Sequence, residues 1–511
     1  MLAATAPPST ALNRPLITLS VMAASIMQAL DTTIANVALP RIQGTLGATQ
    51  SEMTWVLTSY IVASAIVMAL TGWLSSRFGR KRVFLLSVAG FTLASALCGL
   101  STSLPELVFF RTLQGISGAA LIPASQAVLF DINPPDQYGK AMALWGIGVT
   151  MGPVIGPALG GWITENYSWR WVFYINVPIG ILTLFGLFAS LPEFKKKVDN
   201  FDFFGFLTLS MFIGALQIML DRGDLKDWFG STEIIVEALL CGIALYLFCI
   251  HTLTHKRPFV NPILFHDRNY VIGSILIFLI GIMLFASLAL LPPMLQGIMN
   301  YDVITTGFIT APRGAGTMFA MMVVSRIVGK VDPRWIIGVG LSLTAYSLWQ
   351  MSQFNLLMGE REVVVSGLIQ GFGIGLCYVS ISTLAFDTLP TDLRNEGTAF
   401  FNLMRNIGSS IGISLVQMWL TRSIQTAHAT LAEHITPYHL DSIAYAASHI
   451  DPTTQVGLVA LNSMIVRQAS MIGYIDDFKI MMLMTLAVIP LLALFPKPKP
   501  VVKGAIAETM E

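Results

Sequence analysis

The stretch LQGISGAALIPASQAVLFDINPPD, residues 113–136, has a second, altered copy later in the chain. The copy, IQGFGIGLCYVSISTLAFDTLPTD, occupies residues 369–392 and aligns with the first without a gap. Six positions are identical in this register, including a Gln-Gly pair near the start and a Phe-Asp pair near the end. We interpret the two segments as the same helix in two related halves of one fold, an arrangement found in many transporters.

The composition is that of a polytopic membrane protein. The chain has 511 residues, of which 54% are hydrophobic and 12% are charged, whereas a soluble domain carries about 25% charged residues. The net charge of +1 and the lack of a basic patch interleaved with aromatic residues argue against a nucleic-acid partner. The sequence also lacks a nucleotide-binding P-loop, so we expect no drive by ATP.

Fourteen apolar runs reach the length of about 20 residues that a membrane-spanning helix needs. They cover residues 16–39, 53–76, 83–101, 106–130, 140–163, 171–191, 203–220, 234–253, 270–298, 305–326, 335–351, 362–386, 397–421 and 478–496. Most of the 30 Lys and Arg residues fall in the loops on the side of the N-terminus. The positive-inside rule therefore predicts that both termini are cytoplasmic, which fits an even number of spans.

The repeat and the helix count together predict an all-α fold of two six-helix bundles with two helices inserted between them. The repeat equates the fourth helix with the twelfth, so the seventh and eighth must be the additional pair. The predicted divisions are residues 1–191 for the first bundle, 192–269 for the inserted pair, 270–496 for the second bundle and 497–511 for a cytoplasmic tail.

Several motifs, taken in order along the chain, resemble a known family. They are LDTTIANVALP (30–40), GWLSSRFGRKR (72–82), RTLQGISG (111–118), GPVIGPALGG (152–161), SWRWVFYINVPIG (168–180) and LQIMLDRGDLKDWFGSTEI (216–234). The set resembles the fourteen-helix drug:proton antiporter branch of the major facilitator superfamily, of the EmrB/QacA type. The resemblance covers nearly the whole chain.

The resemblance implies a multidrug efflux transporter of the bacterial inner membrane that is driven by the proton gradient and has neither cofactor nor enzymatic activity. It also implies amphipathic or hydrophobic drugs as substrates, a periplasmic adaptor of the EmrA type and an outer-membrane channel of the TolC type. An exporter of a single endogenous metabolite or siderophore is the alternative. A sensor or enzyme built on a transporter body would need a soluble domain or a catalytic constellation, which the sequence does not show.

Asp31 lies well inside the first predicted helix, where a charged group costs several kcal/mol. At 1.5 Å per residue it lies about 12 Å from the outer end of its helix, and Arg111 lies about 8 Å from the outer end of the fourth. Burial disfavours the charged form of a carboxyl group and a nearby cation favours it. We expect the two residues to pair and Asp31 to carry protons, although a purely structural pair is the alternative.

The fifth helix has glycines at every fourth position, Gly152, Gly156 and Gly160, so they share one face. Such a face allows another helix to approach closely. With Pro157 and Gly161 the pattern predicts a close contact between the two halves. The family resemblance implies that this motif seals the outward pathway in exporters.

The basic turn after the second helix contains Gly72, Arg77, Gly79 and Arg80. It is an orientation signal, and the resemblance identifies it as the cytoplasmic loop motif of the family. The family has an acidic residue where this chain has Ser76, so we assign Ser76 no role.

Other polar groups in the predicted helices are candidates for a substrate cavity. They are Gln28, Thr32, Asn36, Gln114, Arg313, Asn402 and Arg405. Hydrogen bonding between helices is the alternative for each of the uncharged ones. Arg313 could meet an anionic substrate, whereas Arg405, near the cytoplasmic face, suggests a structural role.

Two further features are a histidine pair and the long segment before the last predicted helix. His251 and His255 share a helical face at a spacing that suits zinc, but we expect no metal site because there is no catalytic Glu and the pair lies at a cytoplasmic rim. Residues 422–477 are predicted to form a long periplasmic loop, with an interfacial amphipathic helix at 456–475 that could serve as the docking surface for the adaptor.

Overall fold

The computed structural model describes residues 13–134, 137–192, 201–327, 330–390, 393–433 and 454–494. Within these ranges every regular element is a helix, and a helix lies at each of the fourteen predicted positions. The cytoplasmic tail predicted at 497–511 lies outside the described residues.

The fourteen helices are numbered in chain order. They are α1 (Arg14–Leu46), α2 (Gln50–Phe78), α3 (Arg80–Leu100), α4 (Leu104–Ile132), α5 (Tyr138–Asn166), α6 (Trp171–Ser190), α7 (Phe203–Arg222), α8 (Thr232–Thr254), α9 (Arg268–Gly297), α10 (Val303–Ile327), α11 (Pro333–Met351), α12 (Glu360–Asp387), α13 (Arg394–Glu433) and α14 (Gln455–Val488). By length, hydropathy and number of charged residues, ten of the described helices qualify as membrane-spanning. The other four, α10, α11, α13 and α14, do not meet the same criteria within the described residues.

Helix ends follow local capping chemistry. The Thr49 hydroxyl accepts the Glu52 N–H while the Glu52 carboxylate accepts the Thr49 N–H, so a capping box starts α2. Asp202 and Asp267 cap α7 and α9 through their carboxylates. Gly79 joins α2 to α3 at a φ of 92°, a conformation that L side chains rarely adopt.

Two ends of the bundle are used below as reference points. The proximal end is the one where α1 begins at Arg14, and the distal end is the one where α1 ends at Leu46. Contacts between the first six helices and the last six run mainly through α5 with α10, α2 with α13, and the second part of α4 with α13. Helix α7 packs on both α2 and α13, and α8 packs chiefly on α7.

The last two helices differ from the prediction. α13 has 40 residues, about 60 Å at 1.5 Å per residue, which is twice the thickness of the hydrocarbon core. α14 is continuous from Gln455 to Val488. The long loop predicted at 422–477 is therefore shorter than expected: residues 422–433 continue α13 and residues 455–477 belong to α14, while residues 434–453 lie outside the described part.

The helix predicted at 456–475 is present, but it is not a separate interfacial helix, because it continues directly into the last spanning helix. The segment packs against α13, although Val456, Leu458 and Val459 near its start are exposed. Gly473 lies close to the side chains of Leu420 and Ile424, and the His428 ring is 3.1 Å from the Asn462 amide oxygen. The two helices thus form an extended hairpin at the distal end.

Candidate functional site

Asp31 of α1 and Arg111 of α4 form an ion pair inside the first six helices. Arg111 Nη1 donates to Asp31 Oδ2 at 2.7 Å, and the side chains of Arg111 and Asp31 are 1% and 0% exposed. Similar depth on two neighbouring helices brings them together, as the sequence suggests. A buried charge that loses its partner destabilises a protein by about 3–5 kcal/mol, so each of these residues depends on the other.

Two amides complete the coordination of the Asp31 carboxylate. Gln114 Nε2 donates to Asp31 Oδ1 at 2.9 Å, and Asn176 Nδ2 donates to the same oxygen at 2.9 Å. Both amide side chains are buried. Gln114 is therefore part of the ion-pair cluster, which agrees with the alternative of hydrogen bonding between helices. Asn176 was missed because a lone amide in an apolar run gives no sign of what it faces.

The Arg111 guanidinium has partners on several sides. Its Nε donates to the Val56 carbonyl at 3.2 Å and its Nη1 donates to Gln114 Oε1 at 2.8 Å. The Tyr60 ring lies 4.2 Å from the guanidinium carbon, in a cation–π arrangement. These contacts give the guanidinium further partners besides Asp31, so Arg111 is held by both halves of the cluster, the carboxylate and the groups around it.

The glycine face of α5 packs on α1, within the same half of the protein. A Cβ at Gly152 would lie 2.6 Å from the Ala29 carbonyl carbon, and one at Gly156 would lie 2.1 Å from Thr33 Oγ1. A Cβ at Gly160 would lie 2.9 Å from Ile34 Cγ1. The predicted contact between halves through these glycines is therefore wrong, because spacing fixes the face of a helix but not its neighbour.

The neighbouring parts of α5 do meet the other half. Gly146 lies against the Met321 side chain of α10, and Ala158 lies beside Gly307 of the same helix. Pro157 is half-buried and Gly161 is buried, within a helix that stays continuous. The motif thus positions α1, which carries Asp31, against the helix that faces the second half.

The basic turn connects the two halves at the proximal end. Arg80 forms an ion pair with Asp131 and donates to the Ala127 carbonyl at 3.2 Å. A Cβ at Gly72 would lie 2.9 Å from the Glu396 Cα of α13, so only glycine permits this approach of α2 to α13. Arg77 is exposed.

A buried polar network crosses between the halves towards the proximal end. Asn402 Nδ2 donates to Gln126 Oε1 at 2.5 Å, and Gln126 Nε2 donates to the Tyr378 hydroxyl at 3.4 Å. Arg405 Nη1 donates to the same hydroxyl at 3.1 Å. Asn402 and Arg405 therefore hold α13 to α4 and α12 in this conformation. Gln126 and Tyr378 were not singled out in the sequence.

The remaining predicted cavity residues are three polar side chains of α1 and one arginine of α10. Gln28 is buried and Thr32 donates to the Gln28 carbonyl at 3.0 Å, whereas Asn36 is exposed. Arg313 is 6% exposed, and its Nη2 donates to Ser287 Oγ at 2.7 Å and to the Leu284 carbonyl at 3.1 Å. Its Nη1 is buried without a hydrogen-bond partner among the described residues.

Comparison with known proteins agrees with this architecture. Residues 21–413 match the Major Facilitator Superfamily. The chain belongs to this superfamily. It is 36% identical over 428 residues to the multidrug export protein EmrB of Haemophilus influenzae, covering 83% of this chain and 84% of that one.

A second relative and a solved structure extend the comparison. The fatty acid resistance protein FarB of Neisseria gonorrhoeae is 34% identical over 488 residues, which cover 94% of this chain and 96% of the relative. The crystal structure of the human organic anion transporter MFSD10 has a TM-score of 0.64 at 13% identity, covering 95% of this chain and all of that one. This last likeness concerns the fold alone.

Proposed function

We propose that this chain is a proton-driven multidrug efflux transporter that works by alternating access. The buried Asp31–Arg111 pair, with Gln114 and Asn176 on the same carboxylate, is the observation on which the proposal rests. A carboxylate that is buried in a transporter body and held by groups that stay in place is suited to accept and release a proton. The named activity of the EmrB relative supports the same function.

In the proposed cycle, a proton from the outside neutralises Asp31 and favours release of the drug. Loss of the proton towards the cytoplasm restores the pair with Arg111 and favours drug capture. The contacts that join the halves at the proximal end, through Asp131 and through the Asn402–Gln126 pair, must open for cytoplasmic access. No cofactor takes part.

The proton gradient suffices for such a cycle. One charge moving through 100 mV yields about 2.3 kcal/mol, and one pH unit adds about 1.4 kcal/mol. Together they sustain a drug gradient of several hundred-fold.

We place the protein in a bacterial inner membrane with its proximal end in the cytoplasm, because most Lys and Arg residues lie in the loops on that side. The hairpin of α13 and α14 then projects into the periplasm. A 40-residue helix is longer than the membrane requires, so this hairpin is the proposed docking surface for an adaptor of the EmrA type that leads to an outer-membrane channel of the TolC type.

A narrower substrate range is the second candidate. The FarB relative is named for fatty acid resistance, and Arg313 has a buried donor without a partner in the described chain. The name of this relative and the unpartnered Arg313 donor both fit the export of one amphipathic carboxylate, such as an endogenous metabolite or a siderophore. Such an exporter would saturate with one compound and give no resistance to unrelated drugs.

The test is drug-stimulated proton movement in membrane vesicles. The wild type should couple the two flows, and Asp31→Asn should abolish coupling because the amide cannot exchange a proton. The matched control is Asp224→Asn, which makes the same chemical change at an exposed position outside the long helices. Full coupling in Asp31→Asn would overturn the proposed role of this residue.

A further inference from the structure

Three side chains with metal-ligand chemistry meet at the proximal ends of α7 and α8. His251 and His255 lie one turn apart in the last part of α8 and at its C-cap, and Asp202 precedes α7 directly. One ligand atom from each residue lies within 4.8 Å of the other two. The sequence could not reveal this cluster, because Asp202 and His251 are separated by 49 positions.

The carboxylate of Asp202 is held in a fixed orientation. Its Oδ1 accepts the Gly205 N–H at 3.0 Å and its Oδ2 accepts the Phe259 N–H at 2.9 Å. His251 Nε2 lies 2.9 Å from both oxygens. Because each carboxylate oxygen has two lone pairs, the backbone donors leave one lone pair on each oxygen facing the histidine. The side chain is 7% exposed, so the orientation is not averaged by solvent.

A hydrogen bond between His251 and Asp202 is the simpler interpretation, and it accounts for two of the three residues. It gives no role to His255. The two imidazole rings are nearly parallel, with centroids 4.7 Å apart and an interplanar angle of 18°. His255 is exposed, so its ring can turn towards a shared ligand without displacing a packed neighbour.

The ligand atoms lie close enough together for one ion to bind after a small adjustment. Zinc binds histidine nitrogen and carboxylate oxygen at about 2.0–2.2 Å, almost always with tetrahedral geometry. Two such ligands lie about 3.4 Å apart at the tetrahedral angle, so His251 Nε2 and an Asp202 oxygen, now 2.9 Å apart, need to separate by about 0.5 Å. Two histidines and one carboxylate form a known zinc donor set, with water as the fourth ligand.

We propose that Asp202, His251 and His255 bind a divalent transition-metal ion of the zinc class. Binding of the ion would replace the hydrogen bond between His251 Nε2 and Asp202, and both rings would bind in their neutral form. The bound ion joins the start of α7 to the end of α8 and, through the Phe259 N–H, to the segment that leads into α9. It therefore fixes the inserted helix pair relative to the second half at the cytoplasmic rim.

Metal binding by the purified full-length chain tests the proposal, with an affinity tag free of histidine. Zn²⁺ is measured by equilibrium dialysis, and Co²⁺ is used as a spectroscopic probe because its absorption reports tetrahedral nitrogen and oxygen ligands. We expect one ion per chain in the wild type and a higher thermal unfolding temperature in its presence. His255→Ala should weaken binding at least ~10-fold and abolish the thermal shift, and it should fold normally because the residue is exposed.

The matched control is His266→Ala, which removes an exposed histidine outside the cluster, whose Nδ1 lies 3.0 Å from the Pro262 carbonyl oxygen. It should bind metal like the wild type. Equal binding in the wild type and His255→Ala, or no stoichiometric binding in the wild type, would overturn the site. The test needs no transport, so its result is independent of the proposed efflux function.

Discussion

Asp131, at the proximal end of α4, is contacted by an arginine from each half of the protein. Arg80 pairs with it from the start of α3, and Arg394 Nη1 lies 3.9 Å from its Oδ1 at the start of α13. Arg394 also donates to the Phe130 carbonyl at 3.4 Å. One carboxylate therefore connects the basic turn of the first half to the second half.

Replacing Asp131 with Asn should shift the protein towards a conformation open at the proximal end. The side chain is 25% exposed, so solvent screening limits the effect to about 1 kcal/mol, or about a five-fold change in the population ratio. Spin labels at the exposed residues Lys140 and Trp335 report the distance between the halves at this end. We expect a larger fraction of long distances in Asp131→Asn, whereas an unchanged distribution would contradict the role of the pair.

The sequence predicted where the helices lie because apolar runs of sufficient length can only be buried in a membrane or a core. It failed at the end of α13, predicted at residue 421 and observed at Glu433. Beyond the membrane a helix no longer needs to be apolar along its whole surface. The polar residues there are stabilised by α14, as in the His428–Asn462 contact, and hydropathy does not detect such pairing.

For the site residues as well, the sequence predicted those with a large energetic signature and missed the others. Asp31 and Arg111 were identifiable because charges inside apolar runs are costly and require partners. Asn176 and Gln126 were not, because an uncharged amide is tolerated wherever it finds one hydrogen bond. The glycines of α5 gave the correct face but the wrong neighbour, since Gly156 contacts Thr33 of the same half.

Gly156→Ala should destabilise the packing of α5 on α1. The new Cβ would lie 2.1 Å from Thr33 Oγ1 and 3.0 Å from its Cβ, and a β-branched side chain has little freedom to move away. Overpacking of this kind costs about 1–3 kcal/mol. Thermal unfolding in detergent should show a lower midpoint than in the wild type. Gly242→Ala is the control, because a Cβ there meets nothing within 4 Å; equal midpoints for the two variants would refute the close approach.

Asn176→Ala should impair proton coupling while leaving the Asp31–Arg111 pair in place. The change removes one of the two amide donors from Asp31 Oδ1, and a buried acceptor that loses a hydrogen bond costs about 1–3 kcal/mol. We expect the ratio of protons to drug moved in vesicles to fall below that of the wild type. Asn166→Ala, at the exposed end of α5, should retain the wild-type ratio. A normal ratio in Asn176→Ala would show that this amide has no part in coupling.

Arg313→Met should distinguish anionic from other substrates. Arg313 Nη1 is buried without a partner in the described chain while Nη2 is bonded to Ser287 and Leu284, so the residue has a donor left for a carboxylate. Losing a charge-assisted hydrogen bond of about 1.5–3 kcal/mol should raise the KM for a fatty acid roughly 10-fold or more. The KM for a neutral or cationic drug should stay unchanged, and an Arg313→Lys variant should retain part of the affinity because it keeps the charge. Equal losses for all three substrate classes in Arg313→Met would indicate that the arginine supports the fold of the second half and does not contact the substrate.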